Sequence, residues 1–171
     1  MMTDLRTTFG QWESERPDLD LSSLYFKISV LRLGKIIEEE FDRLCRAQHD
    51  LGANDMRVLL ALRRAGDPYM LRPTDIFQSL LITAGAVTKQ VDRLSARGLV
   101  RRKPDPAHAG GTLVQLTPSG RSVANEIATR VSSEGRVHAA LASLPEAQRH
   151  KTLDFLLKLM DQLGDNPLQT N

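Results

Sequence analysis

The rhythm of apolar and polar positions along this chain is helical for most of its length and changes to strict alternation at one place. From Ser22 to about His49, the residues Leu24, Ile28, Leu31, Ile37, Phe41 and Leu44 recur at helical spacing, which predicts one helix roughly 40 Å long. Tyr25, Val30, Leu33 and Ile36 widen that stripe beyond what a single packed neighbour would cover. Ser22 or Ser23 is placed to cap the helix. Upstream, residues 5–14 predict a short helix carrying the only tryptophan, Trp12, and the turn at RPDLD around Pro17 ends it. After the break at Gly52-Ala53-Asn54, a helix from Ala53 to Arg64 turns Met56, Leu59, Leu60 and Leu62 inward, and the loop AGDPYML closes it.

Two short helical segments follow, LRPTDIFQSLL and ITAGAVTKQVDRLSARG, joined by a tight turn around residues 81–83. Pro73 suits a helix start, Thr83 an N-cap and Gly98 a C′ stop. Alternation appears at residues 99–103 and 112–117, which predict a hairpin. A long helix from Pro118 to about Leu141 comes next. Leu144-Pro145 opens a last helix with Leu153, Leu156, Leu157, Met160 and Leu163 on one face and Phe155 and Leu159 on another.

Residues 73–98 have the packing pattern of a helix-turn-helix. Ile76 and Leu80 of the first helix are spaced to meet Val87, Val91 and Leu94 of the second, with Ile82 plugging the turn. The outer face of the second helix then carries Gly85, Ala86, Thr88, Lys89, Gln90, Asp92, Arg93 and Arg97. Small residues at its start let backbone approach a duplex, and longer donors one turn later reach base edges or phosphates. With the hairpin as a wing, the unit is a winged helix rather than a plain helical hairpin. The expected fold is mainly α with a small β-hairpin wing. A winged helix-turn-helix DNA-binding domain spans 53–117, and the wide apolar stripes of the N- and C-terminal helices ask for a partner, so 21–52 and 118–171 are expected to form a dimerisation region. Residues 1–20 are read as a helical extension.

Charge supports the nucleic-acid reading through its distribution. The 171 residues sum to +2, but residues 63–103 hold nine Lys/Arg against three Asp, a local +6 that leaves −4 for the remainder. With 41% apolar residues the chain can bury one core. No apolar run nears the roughly 20 residues a membrane span needs, and MMTDLRTTFG lacks a signal pattern, so a soluble cytoplasmic protein with no membrane contact is expected. A single cysteine excludes an internal disulfide framework. Cys45 would need an accessible, activated thiolate to sense peroxide, and a structural thiol is expected instead. The histidines at 49, 108, 138 and 150 lack ligand spacing, so neither metal nor cofactor is expected. No P-loop, nucleophile elbow or Gly-rich dinucleotide turn is present, which argues against an enzyme.

The run from LRPTDIFQSLLITAGAVTKQVDRLSARGLVRRKPD through GTLVQLTPSGR resembles the MarR family of bacterial winged-helix regulators, over about residues 22–163. The resemblance implies a homodimer in which the first helix and the last two helices interlock. Two winged helices would then read a pseudo-palindromic operator in double-stranded DNA, most often as a repressor, with half-sites about one helical turn apart. DNA contacts are expected from Arg72, Thr83, Gly85, Ala86, Thr88, Lys89, Gln90 and Arg93, with Arg101, Arg102, Lys103 and His108 from the wing. Family members commonly carry Asp-x-Arg-Arg or Asp-x-Arg-Ser in the wing, whereas this chain reads His108-Ala109-Gly110-Gly111. A wing without its minor-groove arginine predicts weaker binding and a shallower salt dependence, about one unit of slope per lost phosphate contact. A protonated His108 could partly substitute.

The family also often binds small aromatic anions such as phenolic acids. The N-terminal helix with Trp12 resembles the urate-responsive branch, and Trp12 and Arg101 match two of that branch's ligand positions. Its aspartate position is Arg57 here and its recognition-helix arginine is Gln90, which argues against urate. Trp12, Tyr25, Arg57 and Arg101 remain as residues that could hold an aromatic carboxylate or phenolic effector by stacking and ion pairing. The rival reading is a winged-helix protein–protein adaptor with weakened DNA binding. The bare wing is its support and the cationic second helix argues against it.

Overall fold

The computed structural model describes residues 4–80 and 84–164. Along them run α1 (Leu5–Glu15), α2 (Ser22–His49), α3 (Ala53–Arg64), β1 (Met70–Leu71), α4 (Pro73–Leu80), α5 (Ala84–Ala96), β2 (Val100–Pro104), β3 (Thr112–Leu116), α6 (Pro118–Ser133), α7 (Gly135–Ala142) and α8 (Glu146–Leu163). The chain divides into two compact units, one ending at Glu40 and the other beginning at Phe41.

In the first unit, Asp4 caps α1 by accepting the Arg6 amide. The Phe9 ring stacks on Tyr25 with centroids 4.0 Å apart, and the Tyr25 hydroxyl donates to the Phe9 carbonyl at 2.9 Å. That pair pins α1 to the start of α2. Burial there pushes the Tyr25 phenol upward. The cap expected from Ser22 or Ser23 comes from elsewhere: Ser22 is already helical, and its amide donates to the Asp20 carboxylate at 2.9 Å. This contact holds Asp20 below the usual carboxylate range.

The second unit has one apolar core. Met56, Val58, Leu59 and Leu62 enter it from α3, Ile76 from α4, Val87, Val91 and Leu94 from α5, and Ala124 and Ile127 from α6. The sheet supplies Val100, Val114 and Leu116. Its order is β1-β3-β2, with both pairs antiparallel. Val100 faces Leu116 and Pro104 faces Thr112, one residue from the expected strand ends. The two-residue β1, where the sequence indicated only a loop, pairs Met70 with Gln115 and Leu71 with Val114.

The run LTPSG makes the junction between wing and α6. Thr117 accepts the Gly120 amide at 3.0 Å and donates its hydroxyl to the Gly98 carbonyl at 2.8 Å. Gly120 lies flush against the Leu99 backbone, so a β-carbon there would overlap the Leu99 carbonyl oxygen. Gly98, at φ +68, stops α5 as expected. The single helix expected from Pro118 to Leu141 is two. Glu134 leaves helical geometry and Gly135 adopts φ +91, a left-handed conformation that interrupts the hydrogen-bond ladder. Among the described residues, no helix is long and apolar enough to cross a membrane.

Candidate nucleic-acid interface

Three buried aliphatics orient α5. Val87, Val91 and Leu94 are each at most 1% exposed, and their i, i+4, i+7 spacing turns the opposite face outward. Gly85, Lys89, Asp92, Arg93 and Ala96 lie on that outward face, with Thr88 on one flank and half-buried Ala86 and Gln90 on the other. Ile76 and Leu80 pack under it as the spacing anticipated, Ile76 fully buried and Leu80 at the core margin. Thr83 and Ile82 lie outside the described residues.

The cations around this helix are held by specific partners. Arg93 Nε lies 3.4 Å from Asp55 on α3, whose side chain is 2% exposed. The other ligand of that carboxylate oxygen is the Gly52 amide at 3.2 Å. Arg102 donates to Asp92 at 2.6 Å, tying β2 to α5. Arg97 donates to the carbonyls of Asp50 and His49; it closes the end of α2 rather than extending the outer face. Lys89 stands exposed at the centre of the face. Two of the partnering carboxylates, Asp55 and Asp105, fall outside residues 63–103, so a segment count of charge overstates the local field.

The wing loop is compact because Asp105 is turned inward. Its carboxylate accepts the Ala107 amide at 2.9 Å and Arg72 Nε at 2.7 Å, and these two donors hold it below the usual carboxylate range. A second Arg72 nitrogen approaches His108 Nδ1 at 3.0 Å. The same Nδ1 lies 3.3 Å from the Asp105 carboxylate. Gly111 fits because a β-carbon would crowd Asp105 and the His108 carbonyl. The cation-free tip thus carries an arginine beside it, delivered from the start of α4, with its side chain 41% exposed.

Strand alternation separates the three cations at the wing base. Arg102 faces the same side as Val100, Val114 and Leu116, where α5 packs. Arg101 and Lys103 lie on the reverse side with Gln115 and Leu113. Arg101 Nε donates to Gln115 at 2.9 Å, and the Gln115 amide donates to the Pro68 carbonyl at 2.9 Å. A pocket of about 540 Å³ opens there, lined by Arg101, Gln115, Tyr69 and Arg121 among others.

The four residues suggested for an aromatic effector divide between the two units. Trp12 and Tyr25 belong to the first unit and Arg57 and Arg101 to the second. Arg57 bonds Asn54 at 3.0 Å and sits 5.3 Å from the Phe41 ring centre, and it does not line the Arg101 pocket. Cys45 is fully buried in the core, as expected of a structural thiol. The residues that composition and periodicity missed are Asp55, Asp105, Tyr69 and Arg121. Only Asp105 gave a signal, as the one charged residue within the wing tip.

Comparison with known proteins agrees with this geometry. Residues 49–109 match the family model described as MarR family. The HTH-type transcriptional regulator PecS of Dickeya dadantii is 32% identical over 117 residues, covering 68% of this chain and 70% of PecS. The multiple antibiotic resistance protein MarR of Salmonella typhimurium is 31% identical over 141 residues, 80% of this chain and 94% of that protein. A cysteine-to-serine mutant of MarR from Escherichia coli, solved in complex with operator DNA, superposes with a TM-score of 0.61 at 29% identity, covering 83% of this chain and 99% of the other. A winged helix with an outward cationic α5, joined to relatives that match it over most of their length, identifies the chain as a member of the MarR family of transcriptional regulators.

Proposed function

We propose that this protein binds a pseudo-palindromic operator as a homodimer and represses transcription, with a small anionic effector altering its affinity. The observation that carries the reading is the face of α5, where Gly85, Lys89 and Arg93 lie outward over a fully buried aliphatic seam. Thr88, Ala86 and Gln90 flank that face and read base edges, while Arg102, Arg72 and His108 reach phosphates from the wing side. Thr83, Arg101 and Lys103 complete the proposed contacts. Apolar residues left exposed on α2 (Leu31, Leu33, Ile37) and on α8 (Leu153, Leu157, Leu163) support the dimer, because faces of that kind favour a protein partner. The Escherichia coli relative solved with operator DNA supports the nucleic-acid partner.

Genomic footprinting would supply the operator. Titration of that fragment with Lys89→Ala and Arg93→Ala variants is then the test, each expected to weaken binding about tenfold or more. Unchanged affinity would reject the reading. The paired cations favour a second possibility: with Arg93 and Arg102 already held by Asp55 and Asp92, the winged helix could serve as a protein–protein adaptor. Footprints absent from every promoter region would favour the adaptor.

A further inference from the structure

We infer that Asp55 is a positioning residue for operator recognition, a buried carboxylate that grips Arg93 from behind and fixes the direction in which its guanidinium faces the duplex. This role rests on the operator reading: Asp55 acts through Arg93, from beneath the recognition face. Asp55 sits in the first turn of α3, where its carboxylate accepts the Gly52 amide at 3.2 Å and its negative charge suits the helix start. Its side chain is 2% exposed, and Arg93 Nε comes from α5 to 3.4 Å from the same oxygen. The second oxygen is buried with no hydrogen-bond partner among the described residues. A carboxylate so far from water needs a cation close by. Arg46 also feels the charge of Asp55, yet it is committed to Asp42 at 2.6 Å. Arg93 is therefore the cation on which this carboxylate depends.

The contact engages the inner edge of the guanidinium. Nε faces Asp55, while the two terminal nitrogens, the fork that can grip two acceptors of a base edge or a phosphate, have no partner among the described residues. The Arg93 side chain is 50% exposed, so its base is anchored in the core of the winged helix and its fork stands outside, one turn beyond Lys89 on the outward face. Asp92, the adjacent carboxylate, is taken by Arg102 at 2.6 Å, so Arg93 is not divided between two acceptors. An arginine that is free before docking gives up rotamer freedom when it binds. One already held by Asp55 has lost that freedom on folding. Fixed in this way, Arg93 favours the operator, where its fork meets matching acceptors, over a random duplex, whose phosphates a mobile cation neutralises equally well.

The test is a double-mutant cycle on the full chain, titrated with the footprinted operator fragment and with a random duplex of equal length. Asp55→Asn keeps the shape and an acceptor for the Gly52 amide but removes the charge. It should weaken operator binding about fivefold and random-duplex binding less than about twofold. With Arg93→Ala already in place, Asp55→Asn should change operator affinity by less than about twofold, because the group it acts through is gone. An aspartate with a merely structural role would weaken both backgrounds alike. Should either variant fail to fold, the wild type is read by NMR: the Arg93 Nε–H should exchange with water more slowly than that of exposed Arg64, with and without operator. Asp55→Asn binding the operator as tightly as wild type or more tightly, an equal loss on operator and random duplex, an equal loss with Arg93→Ala present, or fast exchange of the Arg93 proton would each overturn the inference and leave the operator reading intact. A wild type that prefers no promoter fragment over random DNA would instead overturn the operator reading, and this role of Asp55 with it.

Discussion

Leu59 on α3 and Leu157 on α8 both sit in apolar helical stripes, yet the first is fully buried and the second is 47% exposed. The contrast extends to whole elements. α3 has seven buried residues, whereas α7 and α8 have none. The core of the winged helix is completed by its own chain, since the buried aliphatics of α3, α4 and α5 pack against one another, α6 and the sheet, although Phe77 on α4 stays 40% exposed. The C-terminal helix keeps its stripe in solvent. Each large aliphatic left exposed forgoes about 1.5–3 kcal/mol of burial, so a stripe of this length is best explained by a second protein surface.

The contrast breaks most sharply if charge is placed in the exposed stripe. Leu153→Lys with Leu157→Lys should weaken self-association about a hundredfold, because a dimer seam would have to desolvate two ammonium groups. The thermal midpoint of the winged helix should barely move. Sedimentation equilibrium reads the first effect and a melt the second; an unchanged molecular mass would show that α8 is not a seam. A small change inside the completed core should do the reverse. Gly120→Ala adds one carbon against the Leu99 carbonyl, and overpacking of this kind costs about 1–3 kcal/mol. Urea unfolding should detect that cost, and a loss below about 0.5 kcal/mol would mean that α6 can shift away freely.

The same contrast explains how much could be read in advance. Helices α3 and α5 were legible because their periodic aliphatics point into one core and Gly98 marks a stop that the backbone uses. β1 was not, because a two-residue strand has no period and exists only through its register with Gln115 and Val114. The break at Gly135 was missed because glycine inside a polar run signals a cost of only about 1 kcal/mol against helix, too little to decide between a kink and a continuous rod. At the interface, the cations were visible and their partners were not. Asp55 precedes Arg93 by 38 positions and Arg72 precedes Asp105 by 33, and linear charge counting has no access to either pairing. Arg101 and Arg102 read as one basic cluster until strand alternation placed them on opposite faces.

A smaller effect separates the wing from the recognition helix. The loop at 105–111 contributes no lysine or arginine of its own, so the salt dependence of operator binding should come mainly from α5, Arg72 and the wing base. Ala109→Arg adds a cation at the exposed tip and should steepen the slope of log affinity against log salt by about one unit. Equal slopes for wild type and variant would mean that the tip does not approach the duplex.

The subtlest effect concerns pH at the wing. The Ala107 amide and Arg72 hold the Asp105 carboxyl below its ordinary range, so the folded group titrates lower than the unfolded one. A depressed carboxylate contributes stability that is fully present above the unfolded value, about 3.9, and that is lost as pH falls through the folded value. From pH 7 to 5 Asp105 should therefore leave the wing unchanged, and below about pH 4 the loop should begin to loosen. The groups facing it are Arg72, whose charge is constant, and His108, whose Nδ1 lies 3.3 Å away. A protonated His108 attracts Asp105 but can no longer accept from Arg72. Amide exchange at Ala107 and Gly111, whose protons close the loop, separates the contributions. Asp105→Asn should expose both amides at pH 7 while amides in α3 stay protected. Loop exchange that already accelerates above about pH 5 in the wild type and not in His108→Gln would transfer the latch from the aspartate to the histidine.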